Sequence, residues 1–220
     1  MSTSITTVLL PLASPNLTIR RDIEKASTTT ISNLESKISL ILNRTVDTSL
    51  FWIQKLLAQQ KKPDFRPKEE EFERAVEMLQ TPTCLSVYTF LNKVSTSAAA
   101  SLDGANLTLF LSDLAIGLRF AVLEHFRKFT ISLTGGLLVS KDITKYVELV
   151  RSWPLTDSEF EKSGGLTTVS EIANLFVIGP EALRERLKNA KAEEREELRK
   201  FVEKREDAGS VGVQAVLNSL

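Results

Sequence analysis

The stretch NLTLFLSDLAIGLRFAVLEHFRKF, residues 106–129, decides the fold of this chain. Its large apolar side chains recur so densely that they point to every side of a helix. A helix that is apolar on all sides is a buried central one. We therefore predict that a central helix over residues 106–129 forms the core of the molecule.

Outside this stretch, apolar residues recur at helical spacing and show little of the two-residue alternation of strands. The series Ile31, Leu34 and Ile38 belongs to one predicted long helix over residues 22–61, which Pro63 ends. These patterns predict a chain that is nearly all helix.

Capping residues predict where the next helices begin and end. Thr81-Pro82 is typical of a helix N-terminus, and an apolar stripe follows it from Cys84 to Ala98. Gly135-Gly136 predicts a turn before a helix over residues 140–153, in which Ser140 is the candidate N-cap.

The C-terminal third of the sequence contains the remaining turn signals. Gly164-Gly165 predicts a turn, and Gly179-Pro180 predicts another helix start. Charged residues dominate residues 181–207, which predicts a solvated helix packed by one edge. We expect the small residues of the tail, 208–220, to be frayed.

Composition and charge exclude several classes of protein. Lys plus Arg number 28 and Asp plus Glu number 28, so no net charge attracts nucleic acid or an anionic membrane. One cysteine and one histidine exclude an internal disulfide and a Cys/His zinc site. The opening residues are a poor signal peptide, and we predict a cytoplasmic protein without a transmembrane segment.

The segment KKPDFRPK, residues 61–68, is the candidate partner-docking site. We expect its phenylalanine to be exposed among cationic side chains, an arrangement that suits an acidic partner or a phosphoinositide head group. The alternative is an ordinary solvated loop, because acidic residues follow immediately. The candidate docking residues are Lys61, Lys62, Phe65, Arg66 and Lys68.

Catalytic motifs are not evident, and we assign no catalytic residue, cofactor or metal ligand. Cys84 and His125 could form a nucleophilic pair if the fold brought them within hydrogen-bond reach in an open cleft. Their positions on the apolar faces of two predicted helices favour core packing instead. The sequence therefore favours a protein that is not an enzyme.

Six phrases of the sequence resemble, in order, the C-terminal region of the Sec-ten family, exocyst complex component five, and above all its fungal members and the related recyclins. They are LLPLASPNLTIRRD from Leu9, QKKPDFRPKE from Gln60, TPTCLSVYTFLNKV from Thr81, SLDGANLTLFLSDLAIGLRFAVLEHFRKF from Ser101, GGLLVSKDITKYVELVRSWPL from Gly135 and IANLFVIGPEALRERL from Ile172.

This resemblance implies an all-α fold of elongated, stacked antiparallel helical bundles. Together with the helix pattern, the two prolines of residues 61–68 and the small residues of the tail, it leads us to expect an irregular segment over residues 1–21, a helical rod over 22–207 with a hinge at 61–68, and a tail over 208–220. Partner-facing positions are expected at the segment around Phe65 and at the Gly135-Gly136 turn.

The resemblance also implies a non-enzymatic scaffold of exocyst, the complex that tethers secretory vesicles to the plasma membrane. The implied partners are other exocyst subunits, notably the Sec-fifteen type, and small GTPases, bound directly or through other subunits. Membrane association would be peripheral, at secretory vesicles and plasma-membrane sites of polarised growth. The alternative is a recyclin-type F-box adaptor in endocytic recycling, whose F-box region this chain lacks.

Overall fold

The computed structural model describes residues 8, 12, 16–68, 70, 73, 77–162 and 167–219 of the chain. Over these residues the regular structure is helical, and an isolated bridge joins Ile131 to Arg205, which confirms the predicted all-α class. The helices are α1 (Leu17–Leu57), a 3-10 helix (Lys62–Phe65), α2 (Pro82–Ser101), α3 (Gly104–Phe126), α4 (Leu133–Arg151), α5 (Asp157–Lys162), α6 (Thr167–Leu175), α7 (Pro180–Asn189), α8 (Ala192–Val202) and α9 (Val211–Asn218).

Two compact units make up the chain, Met1–Asp47 and Thr48–Leu220, and their boundary lies within α1. In the first unit, α1 begins at a capping asparagine: Asn16 Oδ1 accepts hydrogen bonds from the backbone N–H groups of Thr18 (3.0 Å) and Ile19 (3.2 Å). This cap starts the helix earlier than the sequence pattern predicted, because it satisfies N–H groups that no preceding turn can pair.

In the second unit, α4 packs against α2, α6 and the 3-10 helix, while α3 packs against α2, α5 and α6. Leu111, Leu114 and Leu118 of α3 are fully buried, as predicted for a core helix. The expectation that α3 is covered on all sides is wrong, because its neighbours leave Leu109 and Phe120 exposed. The core therefore lies along one side of α3.

Among the described residues, α3 is the helix whose length and composition would allow it to cross a membrane. A core helix passes the same test, because both must be long and apolar. The inward positions of α3 are packed inside the second unit.

The predicted start of α2 is confirmed. Thr81 is the N-cap, its Oγ1 accepts a hydrogen bond from the N–H of Cys84 (3.1 Å), and Pro82 occupies the first turn. Cys84, Val87 and Leu91 form the buried stripe that the sequence predicted.

The predicted turn at Gly135-Gly136 is wrong. Both glycines lie inside α4, which begins at Leu133, and the N-cap is Ser132, whose Oγ accepts a hydrogen bond from the N–H of Gly135 (3.1 Å). Ser140 is therefore inside the helix. Two glycines occupy these positions because other parts of the chain pack closely against α4 there.

The C-terminal region differs from its prediction in two respects. The charged stretch forms two helices, α7 and α8, because the backbone is extended at Ala190 and Lys191. The tail is a helix, α9, which is capped by Ser210 and packs with α7, and its Val213 and Val216 are buried. The prediction of a frayed tail is therefore wrong, because the short apolar stripe of this segment is buried.

Gly164-Gly165 lies outside the described residues. The predicted division at 1–21, 22–207 and 208–220, and the predicted hinge at 61–68, remain predictions, although helix extends into both terminal segments.

Candidate functional site

The candidate docking segment is a short turn held by one carboxylate. Asp64 Oδ2 accepts hydrogen bonds from the backbone N–H of Lys61 (3.0 Å) and from Gln60 Nε2 (2.6 Å). Pro63 occupies the first turn of the 3-10 helix, where its missing N–H costs nothing. The segment thus has a defined conformation that directs its side chains.

Phe65 lies inside the molecule, so the prediction that it is exposed is wrong. Its exposed fraction is 0%, and its ring makes edge-to-face contacts with Phe126 and Phe129, at centroid distances of 5.6 and 5.3 Å. The Phe65 carbonyl accepts a hydrogen bond from the N–H of Ser132 (3.0 Å). The cationic neighbours of Phe65 obscured this anchor role in the sequence.

The glycine pair of α4 allows this segment to approach closely. A Cβ at Gly135 would lie 1.8 Å from the Phe65 carbonyl oxygen, and one at Gly136 would lie 2.8 Å from the Phe176 Cβ. Only glycine fits where two backbones approach so closely. Both glycines are buried, so the prediction that they face a partner is wrong.

The cationic side chains of the segment do reach solvent. Lys61, Lys62, Arg66 and Lys68 are exposed. Arg66 forms an ion pair with Glu206, a residue of the loop between α8 and α9. The three lysine ammonium groups form no ion pair with the part of the chain that the structure describes. They form a cationic surface, which we call the lysine surface.

The sequence reasoning missed Asp142, a buried carboxylate of α4. Both of its carboxylate oxygens accept hydrogen bonds from Thr81. The Thr81 backbone N–H donates to Oδ1 (2.8 Å), and the Thr81 hydroxyl donates to Oδ2 (2.7 Å). Burial raises the pKa of Asp142 to about 6, although the Thr81 hydrogen bonds oppose that shift. An acid between the apolar residues Val139 and Ile143 was the signal available in the sequence.

Cys84 and His125 have different surroundings. Cys84 is 0% exposed and its thiol contacts the Asp142 backbone oxygen at 3.7 Å, whereas His125 packs against the rings of Phe65 and Phe129. Burial raises the pKa of the Cys84 thiol and lowers the pKa of His125 to about 4. A buried neutral thiol is a poor nucleophile, so the surroundings of Cys84 favour core packing over the catalytic role of this pair.

Comparison with known proteins relates the chain to one family. Residues 1–217 match the family model described as exocyst complex component Sec10-like, alpha-helical bundle. The chain is 30% identical over its whole length to exocyst complex component 5 of Oryza sativa subsp. japonica, of which it covers 26%. It is 29% identical to exocyst complex component SEC10 of Saccharomyces cerevisiae, over 94% of this chain and 23% of that protein.

A more distant similarity extends to animals. The chain is 26% identical to human exocyst complex component 5, over 80% of this chain and 24% of the human protein. The chain thus spans about a quarter of the length of the curated relatives it matches. These relatives are exocyst components, and the recyclin alternative gains no support from them.

Proposed function

The chain belongs to the Sec10-like family of exocyst components, and we propose that it acts as a non-enzymatic helical scaffold in the tethering of secretory vesicles to the plasma membrane. The observation that carries this proposal is the match of the family model over residues 1–217. The helical fold agrees with it, because helices packed around a shared core can hold binding surfaces in fixed positions.

Because the chain covers a quarter of its relatives, its proposed role is that of a binding region. It would contribute surface to an assembly with other exocyst subunits, including the Sec-fifteen type. Small GTPases would bind directly or through those subunits. Stacked helical bundles would set the distance between the bound partners.

The same proposal includes a location. The protein would be cytoplasmic and would be recruited to secretory vesicles and to plasma-membrane sites of polarised growth. It would reach the membrane peripherally, through the other members of the complex. Nucleic acid has no place in this proposal, because the charges of the chain balance.

The lysine surface is the proposed docking site within this role. Lys61, Lys62 and Lys68 present ammonium groups that form no ion pair with the described residues, while the buried Phe65 fixes the segment that carries them. A fixed cationic surface loses little conformational entropy when it meets an acidic partner. Arg66 contributes less to binding in this proposal, because Glu206 already pairs with it.

A pull-down of the tagged 220-residue chain from cell extract, quantified by mass spectrometry, tests the function and the docking surface separately. We expect other exocyst subunits to be enriched by the wild-type chain. The variant that changes Lys61, Lys62 and Lys68 to glutamate should lose at least one of them, because each reversal replaces attraction by repulsion.

A matched control changes three exposed lysines elsewhere, Lys25, Lys93 and Lys188, to glutamate. Equal loss in both variants would contradict the docking surface. If the folded wild-type chain enriched no exocyst subunit, the proposed function itself would be refuted.

A further inference from the structure

A groove with a volume of about 470 Å³ lies between the last turns of α1 and the second half of α3, within the second unit. Apolar and polar side chains share its walls. A close helix contact shapes one end, because a Cβ at Gly117 would lie 2.4 Å from Leu50 Cδ1. The apolar lining residues are Leu50, Leu57, Ala58, Phe120 and Ala121.

The groove has the dimensions of a helix-binding site. Its lining positions on α3 run from Gly117 to His125, which is about 12 Å, or two turns, at the rise of an α-helix, and Lys128 lies just beyond the helix end. Two helix faces form its walls, so a third helix laid along it would complete a three-helix arrangement. Partner helices dock in such grooves through side chains spaced three or four residues apart.

Exposed aromatic side chains continue the apolar surface. Phe120 lines the groove and is 54% exposed. Phe51 precedes the lining residue Gln54 by three residues, which places both on one face of α1, and Phe51 is also exposed. Exposed aromatic side chains beside a groove are typical of a protein interaction site.

A buried histidine at the groove has an unsatisfied nitrogen. His125 lines the groove and is 4% exposed, and its Nε2 has no hydrogen-bond partner among the described residues. A buried polar atom without a partner is costly, and its presence in a groove indicates a group that binds there. Because its pKa is about 4, the imidazole is neutral at pH 7 and suits a neutral or anionic hydrogen-bonding group.

The unpaired charge beside the groove is positive. Lys128 lines it and forms no ion pair with the described residues. Lys55 lies over the Phe51 ring, with its Nζ 5.2 Å from the ring centroid. The acidic lining residue Glu124 is already paired with Arg127. A helix that carries acidic residues is therefore the complementary occupant.

We propose that this groove binds an acidic amphipathic helix of another exocyst subunit. The helix places apolar side chains along Leu57, Phe120 and Ala121, and directs an Asp or Glu toward Lys128. A polar side chain of the helix pairs with His125 Nε2. The identity of the partner as an exocyst subunit rests on the proposed function, whereas the chemistry of the helix rests on the groove.

Binding of overlapping 20-residue fluorescent peptides that tile the other exocyst subunits tests the proposal, with anisotropy measured against the 220-residue chain. We expect the bound peptides to be acidic and amphipathic. Ala58→Trp and Ala121→Trp fill the groove and should each weaken binding about tenfold or more, a loss of about 1.4 kcal/mol. The matched control, Ala99→Trp at an exposed position of α2, should change affinity less than about twofold.

Two further variants test the polar contacts. Lys128→Glu should weaken the acidic peptides about tenfold, while Lys93→Glu on α2 should not. His125→Phe keeps an aromatic ring and removes Nε2, so it should weaken binding about fivefold. In the wild-type chain, the His125 imidazole resonances should shift when the peptide binds. Thermal unfolding of each variant shows whether it is folded.

Several results would overturn the proposal. These are the absence of any bound peptide, binding that the folded Ala58→Trp variant retains, and a preference for basic peptides. The chain could also bind phosphatidylserine vesicles but no peptide, and Lys128→Glu could abolish that vesicle binding. This result would assign the groove to a lipid surface and would also overturn the proposal. If the peptides bind every folded groove variant as tightly as they bind the wild-type chain, while exocyst subunits still co-purify with the wild-type chain, the groove is refuted and the proposed function stands.

Discussion

Asp142 shows at the scale of one residue how burial controls charge. In the folded chain its pKa is raised to about 6, from an ordinary value of 3.8. Its contribution to stability is therefore fully present below pH 3.8 and is lost as the pH rises through 6. The difference of about 2 units corresponds to about 3 kcal/mol.

The first prediction concerns this loss. Asp142→Asn removes the titrating group and keeps an oxygen acceptor for Thr81, so the variant should gain about 3 kcal/mol relative to wild type between pH 4 and 7. Urea unfolding at each pH unit measures the difference. A difference that does not change with pH would contradict the raised pKa.

The contribution of His125 to stability depends on pH in the opposite direction. Burial is the larger cause and Lys128 the smaller cause of its lowered pKa, which is about 4 against an ordinary value of 6.5. Its contribution to the free energy of unfolding is fully present above pH 6.5 and is lost as the pH falls through 4. The loss amounts to about 3 kcal/mol. In the wild-type chain, His125 and Asp142 therefore offset each other over much of this range.

His125→Phe should accordingly be less sensitive to acid than wild type. We expect the variant to gain about 3 kcal/mol relative to wild type as the pH falls from 6.5 to 4. The same urea series measures this change, and the Asp142→Asn profile serves as its counterpart with the opposite slope. Parallel curves for His125→Phe and wild type would show that His125 is protonated equally in the folded and unfolded states.

At the scale of the helix, α4 depends on the absence of two side chains. Gly135→Ala would place a Cβ against the backbone of Phe65, which has no flexible end that could move away. We expect a loss of about 3 kcal/mol or more in the free energy of unfolding. Chemical denaturation measures it. Gly209→Ala is the control, because a Cβ there meets nothing within 4 Å, and equal losses in the two variants would contradict the close contact.

The two faces of α3 give a second prediction for a helix. Leu114 is 0% exposed and Leu109 is 59% exposed. Leu114→Asp buries an unpaired charge and should unfold the second unit, whereas Leu109→Asp should change stability by less than about 0.5 kcal/mol. Circular dichroism during heating distinguishes the two variants. Similar melting temperatures would refute the placement of Leu114 in the core.

Local signals predicted helices well and long-range packing poorly. Thr81-Pro82 and Gly179-Pro180 mark true helix starts, because capping depends on residues that are adjacent in sequence. Gly135-Gly136 predicts a turn incorrectly, because glycine occurs both in turns and at close backbone contacts, and the contacting Phe65 is remote in sequence. The burial of Phe65 could not be predicted for the same reason, because the residues that cover it are remote in sequence.

The candidate site was predictable in part for a related reason. The exposure of Lys61, Lys62, Arg66 and Lys68 follows from their charge, so it could be read from the sequence. The groove beside His125 could not, because it forms only where faces of two helices distant in sequence meet. The hydrogen bonds of Asp142 likewise join α4 to the start of α2.

At the scale of the whole molecule, the chain is a helical member of the Sec10-like family of exocyst components. Its core fixes surfaces that differ in chemistry, the lysine surface beside Phe65 and the apolar groove beside His125. Its reactive groups, Cys84 and Asp142, are buried in the structure. Each of these features suits binding better than catalysis.

Sedimentation velocity of the purified chain, mixed in turn with each purified exocyst subunit, tests the central claim most directly. We predict that at least one subunit forms a faster-sedimenting complex with the wild-type chain, and that unfolded Leu114→Asp forms none. Independent sedimentation of the folded chain and every exocyst subunit would contradict the proposed scaffold role.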